Sequence, residues 1–213
     1  GDGSWFDFAS TGISTNEVYV SGNLIQDTTF KQAIVYQISK TDGYAAAALD
    51  WQFWTDFFNG PVSITPASYG HDGDYGPGIY LVSSAAAGDD AYWFWDLTND
   101  IGEDPELTGY IMVSETYGPP ADALQAGSSD KLETGDSRTT NAFYLDGIIH
   151  FVMNIDVGGG FSGISYNRLS VPLQTVTTTH FGESGNADLA HAGVASFATS
   201  VSDRSVMISF LRS

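Results

Sequence analysis

Short runs of apolar and small residues recur along this chain, separated by Gly, Pro, Asn and Asp. Three stretches share one layout. A first run occupies residues 17–20, 78–82 and 141–145. A second occupies 32–38, 91–97 and 148–155, and a third 48–53, 107–113 and 163–169. A more polar fourth run, 62–70, 122–127 and 174–182, ends in or near glycine. A further copy begins at 192–198 and continues through 205–211. β-Branched and aromatic residues dominate these runs, so they read as strands. Asp146-Gly147 between two apolar runs is a strong hairpin signal. Only residues 45–58 suggest a helix, and their aromatics leave no polar face, so a short strand with an aromatic loop fits as well.

Counted from Asn16, Gly78, Asn141 and Ala192, the copies recur at roughly 62, 63 and 51 residues, longer than the ~40–50 of common blade repeats. Repeated four-strand units predict an all-β chain of radially arranged antiparallel blades, a β-propeller, with about three and a half blades visible. A two-sheet sandwich or jelly roll is the architectural alternative. The repeats then span about 13–70, 78–127, 139–182 and 192–213, in one domain, 1–213, or in part of a larger ring. On this reading residues 78–82, 142–145 and 194–198 are innermost, and residues 4–9 form a lone outer strand. The edge of 205–211 lacks a following strand, so it is expected to be exposed or shared.

The segments NAFYLDGIIHFVMN (141–154), GISYNRL (163–169), VASF (194–197) and SVMISF (205–210) resemble the blade repeats of secreted bacterial β-propeller proteins. The resemblance is close over roughly the last third of the chain and rests on periodicity elsewhere. It implies a fold and an extracellular or cell-surface setting, and names no activity.

Charge narrows the choice of partner. Seven Lys+Arg face 26 Asp+Glu, a formal net charge of −19. Such a chain repels nucleic acid and anionic lipid, and no apolar run is long enough to insert in a membrane as a helix. Cysteine is absent, which excludes disulfides and thiolate metal sites. Half of the acids fall in two sets of loops. One set holds Asp72, Asp74, Asp130, Glu133, Asp136, Glu183 and Asp188; the other holds Asp42, Asp100, Glu103, Asp104, Glu106 and Asp156. In a propeller both sets open on one face. Asp72, Asp74, Glu183 and Asp188 are therefore the candidate metal ligands, and Ca²⁺ is the cation that such carboxylates suit. The twelve-residue EF-hand frame is absent.

Catalytic motifs are missing. There is no G-x-S-x-G, P-loop or dinucleotide fingerprint, and Gly158-Gly159-Gly160 precedes no helix. His150 lies mid-strand. His71 and His191 lie before first strands, where they could meet at one mouth, but no metal-ligand spacing supports this. Trp93, Phe94 and Trp95 face alternate sides of a strand, as core or as a sugar-stacking platform. These features predict a binding or adhesion module without a catalytic centre. Its partner is a protein or glycan ligand, or a second copy through an open edge. A propeller-fold glycoside hydrolase with part of its site elsewhere is the alternative.

Overall fold

The computed structural model describes residues 3–125, 127–182 and 187–213, and these are almost entirely β. The first four strands form an antiparallel meander: β1 (Ser4–Ile13), β2 (Glu17–Gln26), β3 (Thr29–Ser39) and β4 (Trp51–Trp54). Among the described residues the one helix, α1 (Lys40–Tyr44), is a single turn started by Ser39, whose hydroxyl accepts from the Asp42 amide. It precedes residues 45–58, which hold a strand rather than a helix.

The next strands are β5 (Thr65–Tyr69), β6 (Ile79–Ser84), β7 (Asp89–Thr98) and β8 (Glu106–Tyr117). A two-stranded flap follows, β9 (Ala123–Leu124) with β10 (Lys131–Leu132). Then come β11 (Thr139–Leu145), β12 (Ile148–Asp156), β13 (Ser162–Ser170) and β14 (Thr175–Phe181). The meanders β5–β8 and β11–β14 join through a parallel pairing of β5 with β11, giving one eight-stranded sheet. Its edge strands β8 and β14 lie against each other, so the sheet nearly closes as a barrel. The hairpin of β15 (Leu189–Ser196) and β16 (Val206–Arg212) packs outside β11–β13.

Three apolar clusters separate these layers. Tyr19, Val35, Leu81 and Trp95 fill the space between β1–β4 and β5–β8. Val82, Phe94, Phe151 and Met153 fill the inside of the eight-stranded sheet. Val152, Ile164, Leu189 and Val194 hold the β15–β16 hairpin. Strands β6, β7 and β12 serve a cluster on each face, which is why they read as continuous apolar runs rather than alternating ones. Trp95 points to one cluster and Phe94 to the other, and Trp93 lies against the first, so this aromatic triplet is core. Each such buried side chain contributes about 1.5–3 kcal/mol.

Several sequence expectations shift by one strand. Residues 62–70 contain β5, which pairs with β6 and β11 rather than with β4. Residues 78–82 therefore lead into and form the second strand of the β5–β8 meander, inside the eight-stranded sheet. The described residues of 122–127 supply only β9, outside the large sheet. Residues 4–9 are not a lone outer strand: β1 pairs with β2 along its length and abuts β5. There Gly12 allows the close approach, because a Cβ would lie 2.5 Å from the Pro66 Cβ. The Asp146-Gly147 hairpin is as expected, with both residues at positive φ (48° and 81°) as a two-residue type I′ turn requires.

Candidate functional site

Four strands, one from each layer, line a groove. Ile13 of β1 donates its amide to Ser68 Oγ at the end of β5, at 3.1 Å. β5 pairs with β11 through Ser68 and Tyr69 opposite Phe143 and Tyr144. β11 holds β15 by side-chain to backbone bonds: Thr140 Oγ1 donates to the Ala192 carbonyl at 2.8 Å, and the Val194 amide donates to Asn141 Oδ1 at 3.1 Å. The β5–β11 ladder is short because Pro66 lacks an amide hydrogen. Upstream, Thr65 Oγ1 bridges instead to the Thr139 carbonyl at 3.1 Å.

The groove has two recesses. The larger, about 600 Å³, sits where β5, β11 and β15 begin, and is lined by Phe8, Ser63, Glu133, Arg138, Asn154 and His191, among others. The second, about 460 Å³, lies further along the same four strands and includes Thr11, Ser68, His71, Asp72, Asn141 and Ser196. His71 and His191 therefore face different recesses and do not meet.

Arg138 is held from three sides. Its Nε donates to Asp136 Oδ1 at 2.8 Å and its Nη2 lies 2.7 Å from Asp136 Oδ2. Nη1 donates to Ser63 Oγ at 3.3 Å, and the guanidinium carbon sits 3.3 Å from the Phe8 ring centroid. Phe8 occupies a bulge of β1, between Asp7 and Ser10, at φ 50°. The bulge tips its ring over the recess. Asn154 is also committed, donating to the Thr134 carbonyl at 2.7 Å and accepting from the Ala192 amide at 3.4 Å. Glu133 and His191 differ: both are exposed, and neither has a hydrogen-bond or ion-pair partner among the described residues. His191 lies at the bulge of β15, at φ 55°.

Of the expected metal ligands, three lie in the described residues. Asp72 and Asp74 are exposed. Asp188 is buried, 2% exposed, and its carboxylate is committed. Oδ1 accepts from the Ser162 amide at 2.8 Å and hydroxyl at 3.3 Å, and Oδ2 accepts from the Leu124 amide at 2.9 Å. It ties β9 and β13 to the start of β15. Glu183 lies outside the described residues. Among the described residues no three His, Asp or Glu side chains are grouped to hold a metal ion.

A second buried polar cluster lies away from the groove. Glu17, 2% exposed, accepts from the Tyr19 hydroxyl, from Gln37 Nε2 at 2.7 Å and from the Ile101 amide at 2.7 Å. Gln37 Oε1 in turn accepts from Gln52 and from the Trp54 indole. This network anchors the β7–β8 loop to β2 and β3. Burial and the Glu17 carboxylate push the Tyr19 hydroxyl far above its usual range.

The sequence pattern places Glu133 and Asp136 on an acidic loop face and sets His191 beside His71 as a candidate ligand pair, and it does not point to Phe8 or Arg138. Compared with known proteins, the chain matches no family model, no curated protein and no solved structure.

Proposed function

We propose that this chain is a non-catalytic binding module that takes a neutral, hydroxyl-rich ligand, a glycan, in the groove between β1, β5, β11 and β15. One observation carries the reading. Glu133 and His191 stand without protein partners among the described residues and line a recess of about 600 Å³ whose other charged groups, Asp136 and Arg138, are already paired with each other. A carboxylate and an imidazole together supply an acceptor and a switchable donor or acceptor for sugar hydroxyls. The net charge of −19 disfavours polyanionic ligands.

The same site favours binding over hydrolysis. Glycoside hydrolysis uses two carboxyl groups flanking the scissile bond. Asp136 has both oxygens on Arg138, which leaves Glu133 as the one free carboxylate among the described residues of the recess. We place the module outside the cell or on its surface, in keeping with the acidic, cysteine-free composition. We also propose that the four layers act as blades of a propeller-like stack whose axis is this groove. Support comes from the side-by-side order of β1, β5, β11 and β15 and from the three apolar clusters between successive layers.

The experiment is titration calorimetry against a panel of neutral oligosaccharides, with product analysis of each mixture. Binding without turnover is expected, and Glu133→Ala or His191→Ala should weaken it at least about tenfold. Absence of binding across the panel, or release of shortened sugar, overturns the reading.

A further inference from the structure

The β15–β16 hairpin has two strands, whereas β1–β4, β5–β8 and β11–β14 are four-stranded meanders. Two-stranded units are marginal alone. One face of this hairpin is buried on β11–β13, but β16 pairs with β15 only. Natural edge strands are usually blunted by Lys, Pro, inward charges or bulges. From Val206 to Leu211, β16 has none of these: the bulge of the hairpin lies in β15, and the residues read Val-Met-Ile-Ser-Phe-Leu. Met207, Phe210 and Leu211 are exposed.

Charge selects the occupant. A chain of net charge −19 repels its own copies over most of its surface. Residues 204–213 contain no Asp or Glu, and they hold Arg204 and Arg212, two of the seven basic residues. Arg204 is paired with Asp146. This edge is thus a place where a second copy approaches without like-charge cost.

The sequence of β16 is also self-complementary about its centre. An antiparallel two-fold pairing centred on Ser209 sets Ile208 opposite Phe210 of the second copy, and Met207 opposite Leu211. Val206 then faces Arg212, and Ser209 faces Ser209. No like charges are opposed, and the Ile–Phe pairs are of the kind that stabilises sheets. We infer that two copies of this chain associate through β16 in this register, forming a continuous four-stranded sheet β15–β16–β16–β15 across a two-fold axis. This interface is independent of the groove.

Because the chain lacks cysteine, single cysteines report the register cleanly. In the inferred pairing the two Ser209 Cα atoms are about 4.5–5.5 Å apart, within disulfide range. The two Met207 positions are offset by about 14 Å. Sedimentation of the unmodified protein at high micromolar concentration should show a dimer. Mild oxidation should link Ser209→Cys chains into dimers on a non-reducing gel and leave Met207→Cys chains single. Met207→Lys with Leu211→Lys should yield monomers with an unchanged far-UV spectrum. A wild type that stays monomeric overturns the inference. So does a dimer in which Ser209→Cys fails to link or Met207→Cys links equally well, since either outcome moves the interface to another register or to another face.

Discussion

The Arg138 guanidinium lies over the Phe8 ring, its central carbon 3.3 Å from the ring centroid, while Asp136 pairs with it. The stack joins β1 to the segment leading into β11 and closes one wall of the larger recess. Phe8 adopts φ 50°, a left-handed conformation that costs a residue with a Cβ about 1–2 kcal/mol. Two opposed effects meet at this position. Phe8→Ala removes the ring and keeps the strain, so it should lower stability by about 1 kcal/mol or more. Phe8→Gly removes the ring and the strain together, and should be no worse than the alanine variant. Urea denaturation of the three proteins tests the order. An alanine variant as stable as wild type would mean the stack contributes nothing.

Glu17 is a buried carboxylate with no salt bridge among the described residues. Its charge is satisfied by a hydroxyl, a side-chain amide and a backbone amide. Glu17→Gln sets an NH₂ group against one of these donors, so it should cost about 2–3 kcal/mol. The loss should be local first: hydrogen exchange at Ile101 should accelerate more than exchange in β12. Equal protection at Ile101 in both proteins would show that the loop is held by other contacts.

Gly78 immediately precedes β6 at φ 78°, and a Cβ there would sit 1.9 Å from the Leu97 carbonyl oxygen. The obstacle is backbone of the paired strand β7 and cannot rotate away. Gly78→Ala should therefore destabilise the fold by more than about 3 kcal/mol, beyond the usual range for a surface change. The positive φ contributes, but the clash dominates. A thermal midpoint within a few degrees of wild type would require β6 and β7 to separate at no cost.

What could be read from the residues follows what each strand buries. β7 and β12 carry large apolar side chains because both faces meet a core, and Asp146-Gly147 has one favoured turn geometry, so these elements were legible. β5 was not placed correctly. Its Thr65-Pro66-Ala67-Ser68-Tyr69 is poor in β-formers because it lies in the crowded middle of four layers, where small residues fit and Thr65 replaces a missing ladder bond. The parallel contact of Ser68 with Phe143 joins residues separated in sequence by β6 to β10, a pairing that no local pattern encodes. Asp188 looked like an exposed ligand in an acidic loop, yet the backbone amides of Ser162 and Leu124 drew it inside. The groove was the least legible feature, since Phe8 and Arg138 meet only once β1 bulges.

His150 provides the pH test. It is 4% exposed, stacks on Phe143 at 4.5 Å, and its Nδ1 lies 2.7 Å from the Tyr166 hydroxyl. Nε2 is buried without a partner. Burial, helped by Arg168 and Arg204, pushes its pKa down to about 4. The unfolded chain, with an ordinary histidine near 6.5, binds this proton between about pH 4 and 6.5, and the folded chain does not. The neutral ring therefore supports folding fully above about pH 6.5, and that contribution drains away as pH falls toward 4, by up to about 3 kcal/mol. His150→Phe keeps the stacking with Phe143 and removes the titration. Its stability should fall less steeply than that of wild type from pH 6.5 to 5, a window in which ordinary carboxylates change little. Parallel stability–pH curves for the two proteins over that window would show that His150 is protonated as easily in the folded chain as outside it.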